Sequence, residues 1–173
     1  DLACWFCGDI REVLGTTSIL YPRRPDRTGA LVDVTAEDYA AFFARTADGA
    51  TGIIEASKVS AGAQDELTYA LYGTRGSIRY NSMNPNSLQV VTGTGDDEAV
   101  RCVPTVQRYR ESSFPGPKFA IGWIRGHIHA IQSFLTAVSR GETGSPSLAD
   151  GVRNMRILAA VRESTQSGRW TSV

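Results

Sequence analysis

The sequence is poor in the residues that most often carry chemistry or cross-link a fold. Its 173 residues include three cysteines and two histidines, and 18 basic and 18 acidic residues cancel to no formal net charge. An odd, low cysteine count argues against a disulfide framework and favours a reducing cytoplasm. The charged residues are spread along the chain without a basic stripe that would favour nucleic acid, and no apolar run approaches the roughly 20 residues that span a bilayer.

The N-terminus lacks a methionine and a signal-peptide pattern, and it lies within a stretch typical of a helix, so we expect a cut end. Cys4 and Cys7 form a C-x-x-C in this stretch. A zinc site would need a second ligand pair, and a redox pair would follow a strand of a thioredoxin-like unit. We therefore interpret both cysteines as small apolar side chains of a short helix that ends at Gly8.

The first 105 residues favour short strands joined by short loops. A strand is predicted over 11–21, and the charged, turn-rich segment 21–29 is predicted to be an exposed loop or edge. Asp48-Gly49 between two apolar runs predicts a tight hairpin. A second hairpin turns at 74–76, and two strands follow it. This pattern indicates a mostly antiparallel meander.

The periodicity becomes helical after an irregular segment, 105–120, that is centred on Pro115-Gly116-Pro117. The first predicted helix ends at Gly141 and carries one apolar stripe, formed by Ile121, Ile124, Ile128, Ile131, Leu135 and Val138. The second begins at a capping Ser147, ends at Gly168 and precedes a last strand. Its apolar face is predicted to comprise Leu148, Val152, Met155 and Ala159.

These elements predict an α+β fold with an open, mostly antiparallel β-sheet and helices packed on one face. Neither face of the predicted strands is cleanly polar, as the alternation in 67–72 and in 40–43 shows. Two helices are too few to cover both faces. We favour a second copy on the other face, in a two-fold dimer, over a curled sheet that its own loops would cover.

Dinucleotide and phosphate motifs are missing from the sequence. Gly93-Thr94-Gly95 lacks the third glycine and is followed by three acids, which would repel a pyrophosphate, so we interpret it as a hairpin loop. His127 and His129 are two apart on a predicted helix and cannot hold one metal ion.

A few polar residues are candidates for binding a small molecule. Trp123, Arg125 and His127 cluster at the start of the first long helix, where they suit a polyhydroxylated ligand. A histidine on the helix flank that bonds a backbone carbonyl is the structural alternative for His127. Lys58 is better explained as a solvated strand end, and Asp150 as a first-turn acid that complements the helix dipole.

The order and spacing of several motifs resemble one family across nearly the whole chain. They are Asp1-Leu2-Ala3-Cys4-Trp5, Asp48-Gly49-Ala50-Thr51-Gly52, Leu71-Tyr72-Gly73-Thr74-Arg75-Gly76-Ser77-Ile78, His129-Ala130 leading to Phe134-Leu135, Pro146, Asp150-Gly151 and Gly168-Arg169-Trp170. The family comprises glucose–fructose oxidoreductase, inositol dehydrogenase and rhizopine-catabolism proteins and is called Gfo/Idh/MocA. Singly each motif is weak, but in this order the set is specific.

The resemblance implies hydride transfer between a sugar or polyol and NAD or NADP, which an N-terminal Rossmann domain binds. It implies that residues 1–173 are the C-terminal substrate-binding and dimerisation domain, without the Rossmann domain, and that dimers or tetramers form through the sheet. The family's lysine and Asp-x-x-x-His pair would precede residue 1. This fragment alone is therefore expected to bind no cofactor and to be inactive, with Asp1 near the pocket. The remaining pocket wall would comprise the loop from Lys58 to Asp65, with Trp123, Arg125 and His127.

Two other hypotheses remain open at this point. The chain could be a stand-alone, non-catalytic ligand-binding or interaction module, or a family member that senses a sugar without turning it over. A dinucleotide fingerprint upstream in the gene would favour the dehydrogenase over the module.

Overall fold

The computed structural model describes residues 1–93, 95–105 and 122–173. The expectations for 106–121, including Pro115-Gly116-Pro117 and Ile121, lie outside these ranges. The described chain forms two compact units, one made of Asp1–Ala61 with Ser145–Val173 and the other of Gly62–Gly144. The α+β class with antiparallel strands is confirmed, although hydrogen bonding groups the strands into two four-stranded sheets and a two-stranded ribbon rather than one sheet.

The first unit combines a four-stranded sheet, the ribbon and two helices. Its elements are α1 (Leu2–Cys7), β1 (Ile10–Ser18), β2 (Arg23–Pro25), β3 (Leu31–Asp33), β4 (Tyr39–Thr46), β5 (Thr51–Ser57), α3 (Leu148–Ser167) and β10 (Thr171–Ser172). The sheet has the order β10-β1-β4-β5, with antiparallel pairing throughout. Gly49 takes a φ of 87° in the β4–β5 hairpin, as the Asp-Gly signal predicts.

The second unit holds the other sheet and the remaining long helix. Its elements are β6 (Thr68–Gly73), β7 (Gly76–Asn81), β8 (Ser87–Thr92), a 3-10 helix (Gly95–Asp97), β9 (Ala99–Pro104) and α2 (Trp123–Arg140). The strands pair in chain order, each antiparallel to the next. The acidic segment 95–97 therefore connects two antiparallel strands, which confirms its interpretation as a hairpin loop.

The core of the first unit lies between α3 and the sheet. Val13 of β1 is fully buried, and α3 contributes Ile157, Ala160 and Val161 at helical spacing. Cys4 joins this core, as expected for a small apolar side chain. Gly15 allows the approach, because a Cβ there would lie 2.9 Å from Val161 Cγ1.

The predicted apolar face of α3 was wrong. Leu148, Val152 and Met155 are exposed, and the buried face is Ile157, Ala160, Val161 and Ser164. The buried residues lie on the opposite side of the helix, where small Ala160 and Ser164 beside Ile157 and Val161 allow close contact with β1. The ends of the helix are as predicted, since Ser147 and Asp150 form a capping box and Gly168 is left-handed with a φ of 66°.

Two further expectations changed in detail. The segment 21–29 is not simply a loop, since its residues 23–25 pair with Leu31–Asp33 as the β2–β3 ribbon. The stripe on α2 lies on one helix face as predicted, but Ile124, Ile131 and Val138 are each more than half exposed. The burial expected for this stripe is thus not provided within the described part of the second unit.

Ser164 joins α3 to the sheet through its hydroxyl and is fully buried. The hydroxyl accepts the Gly15 N–H at 3.0 Å and donates to the Arg169 carbonyl at 2.6 Å. Ser164→Ala should lower the free energy of unfolding by about 1–3 kcal/mol, because a buried N–H loses its acceptor. Denaturant unfolding measures this change. Ser167→Ala removes a hydroxyl at an exposed position of the same helix; it is the control and should change stability by less than about 0.5 kcal/mol. Equal losses in both variants would contradict the assignment.

Candidate functional site

The start of α2 presents two aromatic rings to solvent. Trp123 is 76% exposed, and its ring meets that of His127 edge-on, with centroids 5.1 Å apart and an interplanar angle of 86°. Residues four apart lie on one side of a helix, which explains the contact. The structure thus places two of the residues predicted to contact a ligand side by side. Their exposed rings form one aromatic surface, and aromatic side chains commonly line small-molecule sites.

Arg125 lies apart from this pair. It is two residues from each ring, about 200° around the helix, and it is buried at 7% exposure. A buried guanidinium is costly unless it is paired, so it more often orders its surroundings than contacts a ligand. The three residues grouped by sequence proximity are thus divided between two faces. Asp65 belongs to the same unit and is exposed in the loop before β6.

Lys58 and Asp1 belong to the first unit. Lys58 is exposed just after β5, as expected for a solvated strand end, and its N–H donates to the Asp38 carbonyl at 2.9 Å. Its charge also contributes, after that of Arg162, to lowering the pKa of Glu37.

Asp1 is one of three carboxylates around Arg153. The guanidinium lies 3.8 Å from Asp1, 3.4 Å from Asp9 and 2.8 Å from Asp150. These contacts join the starts of α1, β1 and α3. The pKa of Asp150 is lowered, first by the Ser147 N–H and hydroxyl and then by Arg153. Asp150 therefore has the capping role expected from its position.

Asp38 was missed by the sequence analysis and organises one end of the first sheet. It is 5% exposed, and its carboxylate accepts the N–H groups of Leu20 and Tyr21 at 2.8 and 3.1 Å and Arg24 Nη2 at 3.2 Å. The Leu20 N–H contributes most to lowering the pKa of Asp38. The sequence signal for Asp38 was an acidic residue directly before an apolar strand. This pattern is too common to identify a buried carboxylate that binds neighbouring backbone groups.

The carboxyl groups of the described residues whose pKa values are clearly shifted are all held in the ionised form. Where the pKa of a carboxyl departs clearly from its ordinary value, it departs downward, as at Asp26, Glu37, Asp38 and Asp150. Burial raises the pKa of Tyr39 and Tyr69. General acids and bases at neutral pH are most often histidines, or carboxyls whose pKa is raised towards neutrality. The same residues contain no group of three or more histidines, cysteines or acids placed to hold a metal ion.

Comparison with known proteins identifies the class. The family described as the oxidoreductase family, C-terminal alpha/beta domain, matches residues 1–173. The chain belongs to this Gfo/Idh/MocA oxidoreductase family, as its C-terminal domain.

Similar proteins include dehydrogenases of known structure. Levoglucosan dehydrogenase from Pseudarthrobacter phenanthrenivorans is 30% identical over all of this chain and 49% of its own length. A structure of levoglucosan dehydrogenase with NADH and L-sorbose aligns at a TM-score of 0.92, with 30% identity, over 99% of this chain and 47% of that one. An oxidoreductase domain protein from Kribbella flavida aligns at 0.91, with 28% identity, over 100% and 47%. The chain thus spans about half the length of these relatives.

A pH-dependent prediction follows from Asp38. Because its pKa is depressed below the ordinary 3.8, the ionised carboxylate stabilises the fold above that pH, and the contribution is lost as the pH falls through the lowered value. Wild type should therefore be more stable than Asp38→Asn at pH 7, and the two should converge as the pH is lowered below about 3.8. Chemical denaturation across pH measures the difference. Asp33→Asn removes an exposed carboxylate that pairs with Arg23 and should change stability little at any pH. A difference for Asp38→Asn that is constant with pH would rule out an ionised anchor.

Proposed function

We propose that this chain is the substrate-facing and oligomerising domain of a cytoplasmic NAD- or NADP-dependent oxidoreductase that acts on a sugar or polyol. A separate Rossmann domain of the same protein would bind the cofactor and supply the lysine. The observation that carries the proposal is the match to the family over the whole chain, to relatives twice its length that include a complex with NADH and L-sorbose.

The chemistry of the described residues agrees with this division of labour. Their shifted carboxyls are held ionised by hydrogen bonds and cations, which suits structural anchors rather than groups that exchange a proton near neutral pH. This domain would bind and orient the polyol, while hydride transfer takes place at the nicotinamide of the other domain.

No helix among the described residues is long and apolar enough to cross a membrane.

A substrate contact is proposed at the start of α2, in the second unit. Trp123 offers an aromatic face to the C–H side of a sugar ring, and His127 beside it offers ring nitrogens to hydroxyls. Lys58, Asp65 and Asp1 stay predictions from the sequence: Lys58 and Asp65 are each exposed on a loop of their own unit, and Asp1 lies 3.8 Å from Arg153. Arg125, which is buried, would act by supporting the start of α2.

Oligomerisation is proposed through the face of the first sheet opposite α3. Leu14, Phe43 and Ile53 lie directly across from one another on β1, β4 and β5. Phe43 and Ile53 are 51% and 70% exposed. At one end of this row Glu12 pairs with Arg45 at 2.6 Å, and Arg45 stacks 4.0 Å over the Trp170 ring. An apolar row bordered by paired charges is typical of a two-fold interface.

The substrate role of Trp123 can be tested in the full-length protein. Trp123→Ala should raise KM for an accepted sugar by about three- to tenfold, the worth of one aromatic contact, and leave NAD(P)H binding unchanged. Steady-state kinetics and cofactor fluorescence titration measure the two effects. Ser133→Ala, an exposed position on the same helix, is the control. An unchanged KM in the Trp123 variant would remove this residue from the proposed pocket.

The cofactor role of the other domain can be tested by titration. Residues 1–173 alone should show no NAD or NADP binding at micromolar concentrations, whereas the full-length protein should bind one of them. Calorimetry on both proteins measures this, with circular dichroism to show that the shorter one is folded. Micromolar nucleotide binding by residues 1–173 would overturn the assignment of roles.

A further inference from the structure

Residues 19–34, here called the arm, leave the first sheet between β1 and β4 and carry an unusual amount of exposed apolar surface. Five large apolar side chains of the arm are between 39% and 58% exposed, namely Ile19, Leu20, Tyr21, Leu31 and Val32. Single exposed apolar side chains are common on protein surfaces. Five within 14 residues are an unusually high local density, and concentrated exposed apolar surface often marks a protein interface.

The arm is held rigidly at its base. The buried Asp38 carboxylate binds two of its N–H groups and Arg24, and the Arg24 guanidinium lies 5.6 Å from the Tyr21 ring centroid. The Val34 N–H donates to the Pro22 carbonyl at 2.8 Å and closes the ribbon at the same end. Polar anchors therefore fix the backbone of the arm while its apolar side chains face water.

The tip of the arm is equally ordered. Asp26 Oδ1 accepts the N–H and hydroxyl of Thr28 at 2.8 and 2.7 Å and the Ala30 N–H at 3.0 Å. Gly29 completes this turn with a φ of 88°, which favours glycine. A segment fixed at both ends loses little conformational entropy when it binds, so the exposed apolar surface is pre-organised for a partner.

The sheet face proposed as an interface is too small by itself. With strands about 4.8 Å apart and about 3.3 Å per residue, four strands of about seven residues cover roughly 450 Å². A stable interface buries about 800 Å² on each partner. Side chains that project from the sheet increase this area. The short β10, with only two residues, reduces it. A dimer built on this face needs additional surface close to it.

The arm leaves the end of that sheet. It begins one residue after Ser18, which lies across from Tyr39 at the end of the β1–β4 pairing. Its charged side chains are three arginines and two aspartates, and Arg23 pairs with Asp33 at 3.3 Å. Such a nearly balanced surface does not repel an identical copy across a two-fold axis.

We infer that the arm is a second dimerisation element, whose exposed apolar side chains dock on a second copy of this chain. The inference rests on the proposed pairing of sheet faces and adds to it a specific, pre-organised contact. Asp38 then acts as the positioning residue of the interface, because it sets the pose of the arm without providing the apolar contact.

Sedimentation velocity of the full-length protein over a range of concentrations tests the arm. The double variant Leu20→Gln/Leu31→Thr should weaken dimerisation at least about tenfold, as loss of central interface side chains does. Asp38→Asn should also weaken it, although every apolar side chain is retained. Met155→Gln removes a similarly exposed apolar side chain of α3 and should leave the dissociation constant within about twofold. Circular dichroism confirms that each variant is folded.

A parallel variant separates this inference from the proposed function. Phe43→Thr/Ile53→Thr tests the sheet face alone. If this variant dissociates while the Leu20/Leu31 variant keeps the wild-type dissociation constant, the sheet interface stands and the arm proposal falls. If both variants dissociate, both the sheet interface and the arm proposal are supported. Dissociation by the arm variant alone overturns pairing through the sheet face and, with it, the arm as an addition to that pairing. A wild-type protein that stays monomeric overturns both proposals.

Discussion

The contact between α3 and β1 is the constraint on which the first unit depends. Gly15 lets the helix approach until Val161 meets the strand backbone, and the buried Ser164 hydroxyl joins the two elements by accepting the Gly15 N–H. Close packing selects alanine, valine and serine on the buried side of α3. This contact covers one side of β1 and β4, so the other side, with Phe43 and Ile53, remains exposed. The surface assigned to oligomerisation is thus a consequence of how the helix packs.

Much of the architecture could be predicted because it depends on local chemistry. The Asp48-Gly49 turn, the Ser147 cap and the left-handed Gly141 and Gly168 each meet a backbone requirement that few residues can satisfy. The buried side of α3 could not be predicted from hydrophobicity, because it depends on the absence of a side chain at Gly15, far away in sequence. The segment 21–29 was predicted only as an exposed loop or edge, because Pro22 and Pro25 suit both; the structure resolves it as an edge pairing, since short edge strands tolerate proline.

The candidate site was predicted less completely than the fold, for a related reason. Trp123 and His127 were found because helical spacing places them side by side. Arg125 was grouped with them by proximity in the chain, but helix geometry turns it to a buried side. Asp38 was not found because its importance arises from three partners that precede it by 14 to 18 residues. Residues that act through distant partners leave little local pattern.

The account requires that the exposed side of the first sheet be covered by a second copy, and chemical labelling tests this directly. In a Cys102→Ser background, which removes an exposed native thiol, a thiol introduced by Ile53→Cys reports on that side. Its labelling rate should fall as protein concentration rises, while a thiol introduced by Met155→Cys should react at a constant rate. A labelling rate at position 53 that is fast and independent of concentration, in a folded protein, would contradict the account.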